Sequence, residues 1–183
     1  MVLVHHRSMS IRGMDVFYRE AGPQKAPVLL LLHGYPSSSH MFRHLIPALA
    51  DQYRVIAPDH IGFGRSSAPS ADDFTYSFDA LTDVTAAFLQ AVGVTKYTVY
   101  VHDYGAPIAW RLALADPSSI QGVISQNGNA YDEGFVPEFW KPIWEYGGKP
   151  SASNAKALRP ALEREAIEWQ YTHGVPDITT VAP

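Results

Sequence analysis

Short apolar segments alternate along the chain with segments whose apolar residues recur at helical spacing. Residues 27–32 are apolar on both faces, which is typical of a strand buried within a parallel sheet. Apolar residues in 78–92 recur every three or four positions and Gly93 follows, so a helix is predicted there. The alternation continues to Asn129 and predicts an α/β fold with a mostly parallel sheet and right-handed crossovers.

The same pattern assigns the individual elements of this fold. Strands are predicted at 10–12, 14–19, 27–32, 53–58, 97–101 and 120–127. Helices are predicted at 40–51, 77–94 and from Gly105 onward.

The pattern changes after Asn129, where the chain becomes aromatic, rich in proline and helical, with an interruption at Pro160. Residues 1–8 show little pattern and are predicted to be an unstructured extension. The chain is therefore expected to comprise this extension, an α/β core over 9–129 and the beginning of a helical domain over 130–183.

Composition narrows the class of protein. With 183 residues, 46% hydrophobic and 17% charged, the chain can form a packed core. A net charge of -4 with mixed signs does not suit nucleic acid or an anionic membrane. No cysteine is present to serve as a nucleophile or to bind zinc as a thiolate, and no apolar run is long enough to cross a bilayer. A cytoplasmic protein without metal or cofactor, acting on a small molecule, is expected.

The segment "YVHDYGAP" places Asp103 between a predicted strand and a predicted helix. Ligands of parallel sheets gather at the carboxyl ends of strands, and Gly105 would let helix and strand pack closely there. A carboxylate is already ionised near neutral pH, so it can attack an alkyl carbon and form an ester without a base. Water must then hydrolyse the ester with the help of a base, and N–H groups such as that of Tyr104 would stabilise the oxyanion.

The same aspartate can be interpreted as an ordinary helix N-cap, since aspartate is common at that position. From this stretch of sequence alone, the nucleophile and the N-cap remain equally open.

Three motifs, "LLHGYP", "VIAPDHIGFGRSS" and "VHDYGAP", resemble in order and spacing the α/β-hydrolase fold. The resemblance is to its branch with an aspartate nucleophile, the epoxide hydrolases and the haloalkane or haloacetate dehalogenases, and it extends well over 10–129. It implies eight strands, of which about six are visible here, and a helical cap inserted after the sixth. It further implies Asp103 as nucleophile, with the backbone N–H groups of Tyr35 and Tyr104 as oxyanion donors.

The resemblance and the residues also assign supporting roles. Gly34 would permit the backbone of the "HGYP" turn, and Pro36 is expected to be cis. His33 is interpreted as a structural hydrogen-bonding residue, and Asp59 as a brace of its own loop. A serine esterase is disfavoured because no G-x-S-x-G pentapeptide occurs, and "GFGRSS" lacks the third glycine of a dinucleotide site.

The choice of reaction depends on what would assist the leaving group. The resembled haloalkane dehalogenases hold halide with an asparagine and a tryptophan, where this chain has Tyr35 and Tyr104. The haloacetate dehalogenases use an arginine after the nucleophile, where this chain again has Tyr104. Epoxide opening needs an acid, and tyrosine can keep its proton until then. The resemblance implies two cap tyrosines, and Tyr146 and Tyr171 are preferred to Tyr131, although cap aromatics also serve as pocket walls.

The favoured function is thus an epoxide-hydrolase-type reaction on a small apolar substrate. A dehalogenase with the same nucleophile and a non-catalytic binding module of the same fold are the alternatives. The histidine and acid of the family's triad have no counterpart here, because His102 should point away from Asp103 and His173 lies in the cap segment. We expect a truncated, inactive chain whose sixth strand leaves an apolar edge that favours self-association.

Overall fold

The computed structural model describes residues 2–181, which divide into two compact units at Tyr131–Asp132. This division lies close to the domain boundary expected after Asn129. Among the described residues, none of the helices combines the length and apolar character that crossing a membrane requires. The predicted cytoplasmic location stays a prediction.

One six-stranded sheet forms the centre of the first unit. Its strands are β1 His5–Ile11, β2 Met14–Ala21, β3 Val28–Leu32, β4 Arg54–Pro58, β5 Tyr97–His102 and β6 Ile120–Gln126. The order across the sheet is β1-β2-β4-β3-β5-β6, in which β1/β2 and β2/β4 are antiparallel and the other three pairs are parallel. The predicted α/β class and mostly parallel sheet are confirmed.

The sheet positions the site through the pairing of β3 with β5. The two strands run parallel, with Leu32 opposite Val101, so their carboxyl ends lie side by side. The turn after β3 and the turn after β5 therefore meet at one edge of the sheet, where the strand order changes direction and ligands usually bind.

Each face of the sheet is covered by its own apolar cluster. On β3, Leu30 and Leu32 belong to one cluster and Leu29 and Leu31 to the other, as alternation along a strand requires. Helices α2 Phe78–Ala91 and α3 Gly105–Ala115 pack in the first cluster, and α1 Leu45–Leu49 packs in the second. The central strands are thus buried on both faces, which explains their continuous apolar sequence.

The first strand begins earlier than expected, so the prediction of an unstructured extension over 1–8 is wrong for residues 5–8. The pairing of β1 with β2 is supported by polar contacts: His6 Nε2 lies 2.7 Å from Arg19 Nη1, and Arg7 lies 3.2 Å from the Glu20 carboxylate. Polar cross-strand pairs produce no apolar alternation, and for that reason the pattern did not indicate a strand.

The helix predicted over 40–51 is instead a 3-10 turn at Ser39–Phe42 followed by the short α1. Pro47 has no N–H to donate to the carbonyl four residues earlier, so one continuous helix would lose that bond and clash at this position.

The second unit consists of helices that bury none of their residues. They are α4 Pro137–Gly148, α5 Ala152–Leu158 and α6 Arg164–Thr172, with 3-10 turns at Asp132–Gly134, Arg159–Leu162 and Ile178–Thr180. Pro160 lies in the turn that ends α5, which confirms the predicted break in this helical segment.

Candidate active site

Asp103 follows directly on β5 and has a φ of 50°. This is the left-handed region, which costs a residue with a side chain roughly 1–2 kcal/mol. Such conformations persist where the surroundings enforce them, and they concentrate at functional sites. The backbone at Asp103 is thus held in an unfavourable conformation that presents its carboxylate at the carboxyl ends of the parallel strands.

The Asp103 carboxylate lies between two backbone donors. Its Oδ1 atom accepts hydrogen bonds from Tyr35 N–H at 2.7 Å and from Tyr104 N–H at 2.6 Å. Tyr35 lies in the turn after β3 and Tyr104 in the turn after β5, which the strand pairing brings together. The structure therefore places the three residues that the sequence singled out in one cluster.

This geometry does not match a helix N-cap. In α3 the N-cap position is Tyr104, and no side chain caps the helix. A capping aspartate accepts from the second or third helical N–H. Here Ala106 N–H donates to the backbone carbonyl of Asp103 at 2.9 Å, and Pro107 has no N–H. The carboxylate is thus free of a capping role, and the N-cap interpretation is wrong.

Two glycines permit the close approach of these turns. A Cβ on Gly34 would lie 2.6 Å from Tyr104 N and closer still to the Asp103 carboxylate. A Cβ on Gly105 would lie 2.7 Å from the carbonyl carbon of Leu32, which confirms the predicted close packing of helix and strand. Side chains at either position would force the donors and the carboxylate apart.

His33 has a structural role, as expected. Its Nε2 accepts from His60 N–H at 3.1 Å, so Nδ1 carries the proton and donates to Gly34 O at 3.1 Å. Burial lowers the pKa of both His33 and His60. With both ring nitrogens engaged, His33 supports the turn and is not placed as a base. The Tyr35–Pro36 peptide bond is cis, as predicted.

Asp59 connects two loops beneath this turn. Its Oδ1 accepts from Ser39 N–H at 2.7 Å and its Oδ2 from Arg65 N–H at 2.8 Å. The second bond braces its own loop, as the sequence suggested, and the first adds a link to the turn after β3. Both carboxylate oxygens are therefore committed to the fold.

The ring of Tyr104 lies within an aromatic cluster that sequence reasoning did not identify. Its centroid is 5.1 Å from that of Phe78, 6.1 Å from Tyr35 and 6.3 Å from Phe63. A cavity of about 300 Å³ opens beside it and is lined by Phe63, Tyr76, Ser77, Phe78, Leu81 and Tyr104. The sequence offers one signal for this cluster, the aromatic residue Phe63 inside the glycine-rich loop after β4.

Both tyrosines next to Asp103 keep their protons at neutral pH. Burial raises the pKa of the Tyr35 phenol. Burial also raises the pKa of Tyr104, and the negative charge of Asp103 raises it further. The site thus combines a carboxylate, two amide donors and protonated phenols beside an apolar cavity.

Residues 27–155 match the family model described as alpha/beta hydrolase fold. The chain belongs to this family. Membership agrees with the strand order and with the position of Asp103 in the turn after β5, where the family carries its nucleophile.

Among relatives of the chain, an uncharacterized hydrolase of Saccharomyces cerevisiae is 44% identical over 97% of the chain and 62% of its own length. A haloalkane dehalogenase of Bradyrhizobium diazoefficiens is 38% identical over 64% of the chain and 37% of its own length. The crystal structure of epoxide hydrolase A from Mycobacterium thermoresistibile is 36% identical, with a TM-score of 0.62, over 67% of the chain and 39% of its own. The chain thus spans less than two thirds of the length of each.

The tyrosines predicted as acids lie on exposed surfaces. Tyr146 belongs to α4 and Tyr171 to α6, with 38% and 48% of their surface exposed, and the less favoured Tyr131 is also exposed. Their proposed role as acids stays a prediction.

Neither of the two histidines that the sequence offers as a candidate base is placed for that role. The Nδ1 atom of His102 is buried and has no hydrogen-bond partner among residues 2–181, and burial lowers the pKa of this ring. His173 stacks on Trp169 in the second unit, with centroids 4.4 Å apart. Within the described residues, the hydrogen bonds to the Asp103 carboxylate come from backbone amides and none comes from a histidine.

Proposed function

We propose that this chain carries the nucleophile of a hydrolase of the epoxide-hydrolase type, which acts on a small apolar substrate through an aspartyl ester. The observation that carries the proposal is the pair of N–H donors, 2.7 Å and 2.6 Å away, that hold Oδ1 of Asp103. The Tyr35 distance lies at the lower limit of the range of about 2.7–3.1 Å expected for donors to a developing oxyanion, and the Tyr104 distance lies just below it.

The two carboxylate oxygens then have different tasks. Oδ2 attacks an epoxide carbon, the ring C–O bond breaks, and the ring oxygen takes up a proton. Oδ1 becomes the carbonyl oxygen of the ester and remains against the Tyr35 and Tyr104 amides. When water later attacks the ester, negative charge develops on Oδ1, where removing a single donor typically costs about 10²–10³ in rate.

The cavity beside Tyr104 supports an apolar substrate, because four of its six lining residues are aromatic and a fifth is leucine. Its volume of about 300 Å³ lies at the lower end of the usual range for small-molecule sites. A compact aliphatic or aryl group therefore fits better than a long or charged one.

A dehalogenase is the second candidate, supported by the 38% identity to a haloalkane dehalogenase. The only tryptophan in the first unit, Trp110, donates its Nε1–H to Asn129 O at 2.8 Å and so is not available to hold a halide. This favours the epoxide, although both reactions begin with the same ester at Asp103.

The ester can be detected directly. We expect the purified chain, incubated with excess 1,2-epoxyhexane, to gain the mass of one epoxide molecule in intact mass spectrometry. The Asp103→Asn variant should gain none, and the matched variant of an exposed aspartate, Asp83→Asn, should react like the wild type. If folded wild-type protein, verified by circular dichroism, stays unmodified with both this epoxide and 1-bromohexane, the non-catalytic binding module is favoured instead.

A further inference from the structure

We infer that the side-chain hydroxyl of Tyr104 donates the proton that the epoxide oxygen needs as the ring opens. Tyr104 would then be catalytic through its side chain as well as through its backbone N–H. The inference rests on the proposed function, since it concerns the step in which Asp103 is alkylated.

The first support is position. Tyr104 is the residue directly after the nucleophile, and its side chain is one of those that line the cavity in which an apolar substrate would lie. Edge-on contacts with Phe63 and Phe78 limit the movement of its ring. A donor held by rigid neighbours loses little entropy when it engages the substrate.

The second support is a hydroxyl group with no assigned partner. Among residues 2–181 the Tyr104 hydroxyl makes no hydrogen bond, although its backbone N–H does. Tyr76, which lines the same cavity, differs because its hydroxyl donates to Pro69 O at 2.7 Å. Among the described side chains, the fully buried polar atom without a partner is His102 Nδ1, so the Tyr104 hydroxyl is not sealed within the fold and can take a partner from outside it. A substrate oxygen in the cavity would supply one.

The third support is the charge of Asp103. That charge, together with burial, raises the pKa of Tyr104 in the resting site and so keeps the phenol protonated. Ester formation neutralises Asp103 and removes this contribution. The phenol therefore becomes a stronger acid during the step that creates the alkoxide.

The proton transfer is balanced and favourable. The electron pair of the breaking ring C–O bond goes to the ring oxygen, a new C–O bond forms to Asp103 Oδ2, and the phenol proton moves to the ring oxygen. The resulting tyrosinate regains a proton from water. An alkoxide resembles hydroxide in basicity and is a much stronger base than a phenolate, so a phenol can protonate it.

A comparison of leaving groups tests this role, because a halide departs as an anion and needs no proton. In Tyr104→Phe we expect the rate of adduct formation with 1,2-epoxyhexane to fall by roughly 10²-fold, a typical contribution of a general acid. The rate with 1-bromohexane should stay at the wild-type value. The control Tyr53→Phe removes a hydroxyl outside this cavity, from a tyrosine packed against the second apolar cluster, and should leave both rates unchanged.

Three results would overturn the inference. An unchanged epoxide rate in Tyr104→Phe would show that another group, such as a tyrosine of the second unit, provides the proton. Equal losses with epoxide and bromide would assign Tyr104 a packing role only. A wild-type protein that reacts with neither reagent would remove the proposed function and this inference together, whereas the first two results leave the nucleophile in place.

Discussion

Replacing Gly34 by alanine probes how closely the turn after β3 must approach Asp103. The φ of Gly34 lies outside the left-handed region, so alanine suits the backbone and the perturbation is purely steric. Its Cβ would lie 2.6 Å from Tyr104 N and closer to the Asp103 carboxylate, so one of the two turns must move.

The size of the effect follows from two opposing contributions. Overpacking of a well-filled site typically costs about 1–3 kcal/mol, and the smaller entropy of the unfolded chain after Gly→Ala returns about 0.4–1 kcal/mol. We expect the free energy of unfolding to fall by about 1–2 kcal/mol. Because a shift of about 1 Å in a reacting group can cost about 10²-fold, alkylation of Asp103 should slow by a similar factor.

Urea denaturation followed by tryptophan fluorescence measures the stability, and the rate of adduct formation with 1,2-epoxyhexane measures the reactivity. The control is Gly147→Ala in α4, where an added Cβ meets nothing within 4 Å. It should leave the rate unchanged and the stability unchanged or slightly higher. A Gly34→Ala variant that keeps both wild-type stability and wild-type reactivity would refute the described contact between the turn and Asp103.

Two further predictions concern the fold. Burial acts to raise the pKa of Glu20, but hydrogen bonds from Gln24 and Arg54 outweigh burial, and the pKa is lowered. The ionised Glu20 therefore stabilises the fold at pH values above its pKa in the unfolded chain, and this contribution is lost as the pH falls through its pKa in the folded protein. Glu20→Gln should therefore reduce the loss of stability between about pH 5 and pH 3 in denaturation curves, and an unchanged acid slope would contradict this. At the sheet edge, Val123 and Ile124 of β6 are 47% and 48% exposed, and we expect their replacement by lysine to reduce self-association. Light scattering that detects only monomer in the unmodified chain would contradict the proposed association.

The fold was largely predictable because burial imposes a sequence pattern. The strand at 28–32 is buried on both faces, and the helix at 78–91 is buried along one stripe. Each kind of burial produces a sequence pattern that identified its element. The start of β1 was predicted too far along the chain because polar pairs such as Arg7 with Glu20 hold the beginning of this strand in place. The helix at 40–51 was predicted too long because its apolar residues recur at helical spacing although Pro47 prevents one continuous helix.

The site was predictable in its residues but not in its strain. The motifs located Asp103, Tyr35 and Tyr104, whereas the φ of 50° at Asp103 results from how the turns after β3 and β5 meet. The two turns are distant along the chain, so no local sequence pattern indicates how they meet. The aromatic contacts of Tyr104 with Phe63 and Phe78 were missed for the same reason, since they join segments that are distant along the chain.

The central claim is that the carboxylate of Asp103 forms a covalent bond to the carbon of a substrate. Its most direct test is tandem mass spectrometry of peptides from protein treated with one equivalent of 1,2-epoxyhexane under native conditions. We expect the added mass on Asp103 alone, with no label at this residue after prior unfolding in urea. Label distributed over exposed aspartates and glutamates, with Asp103 unmodified, would contradict the claim.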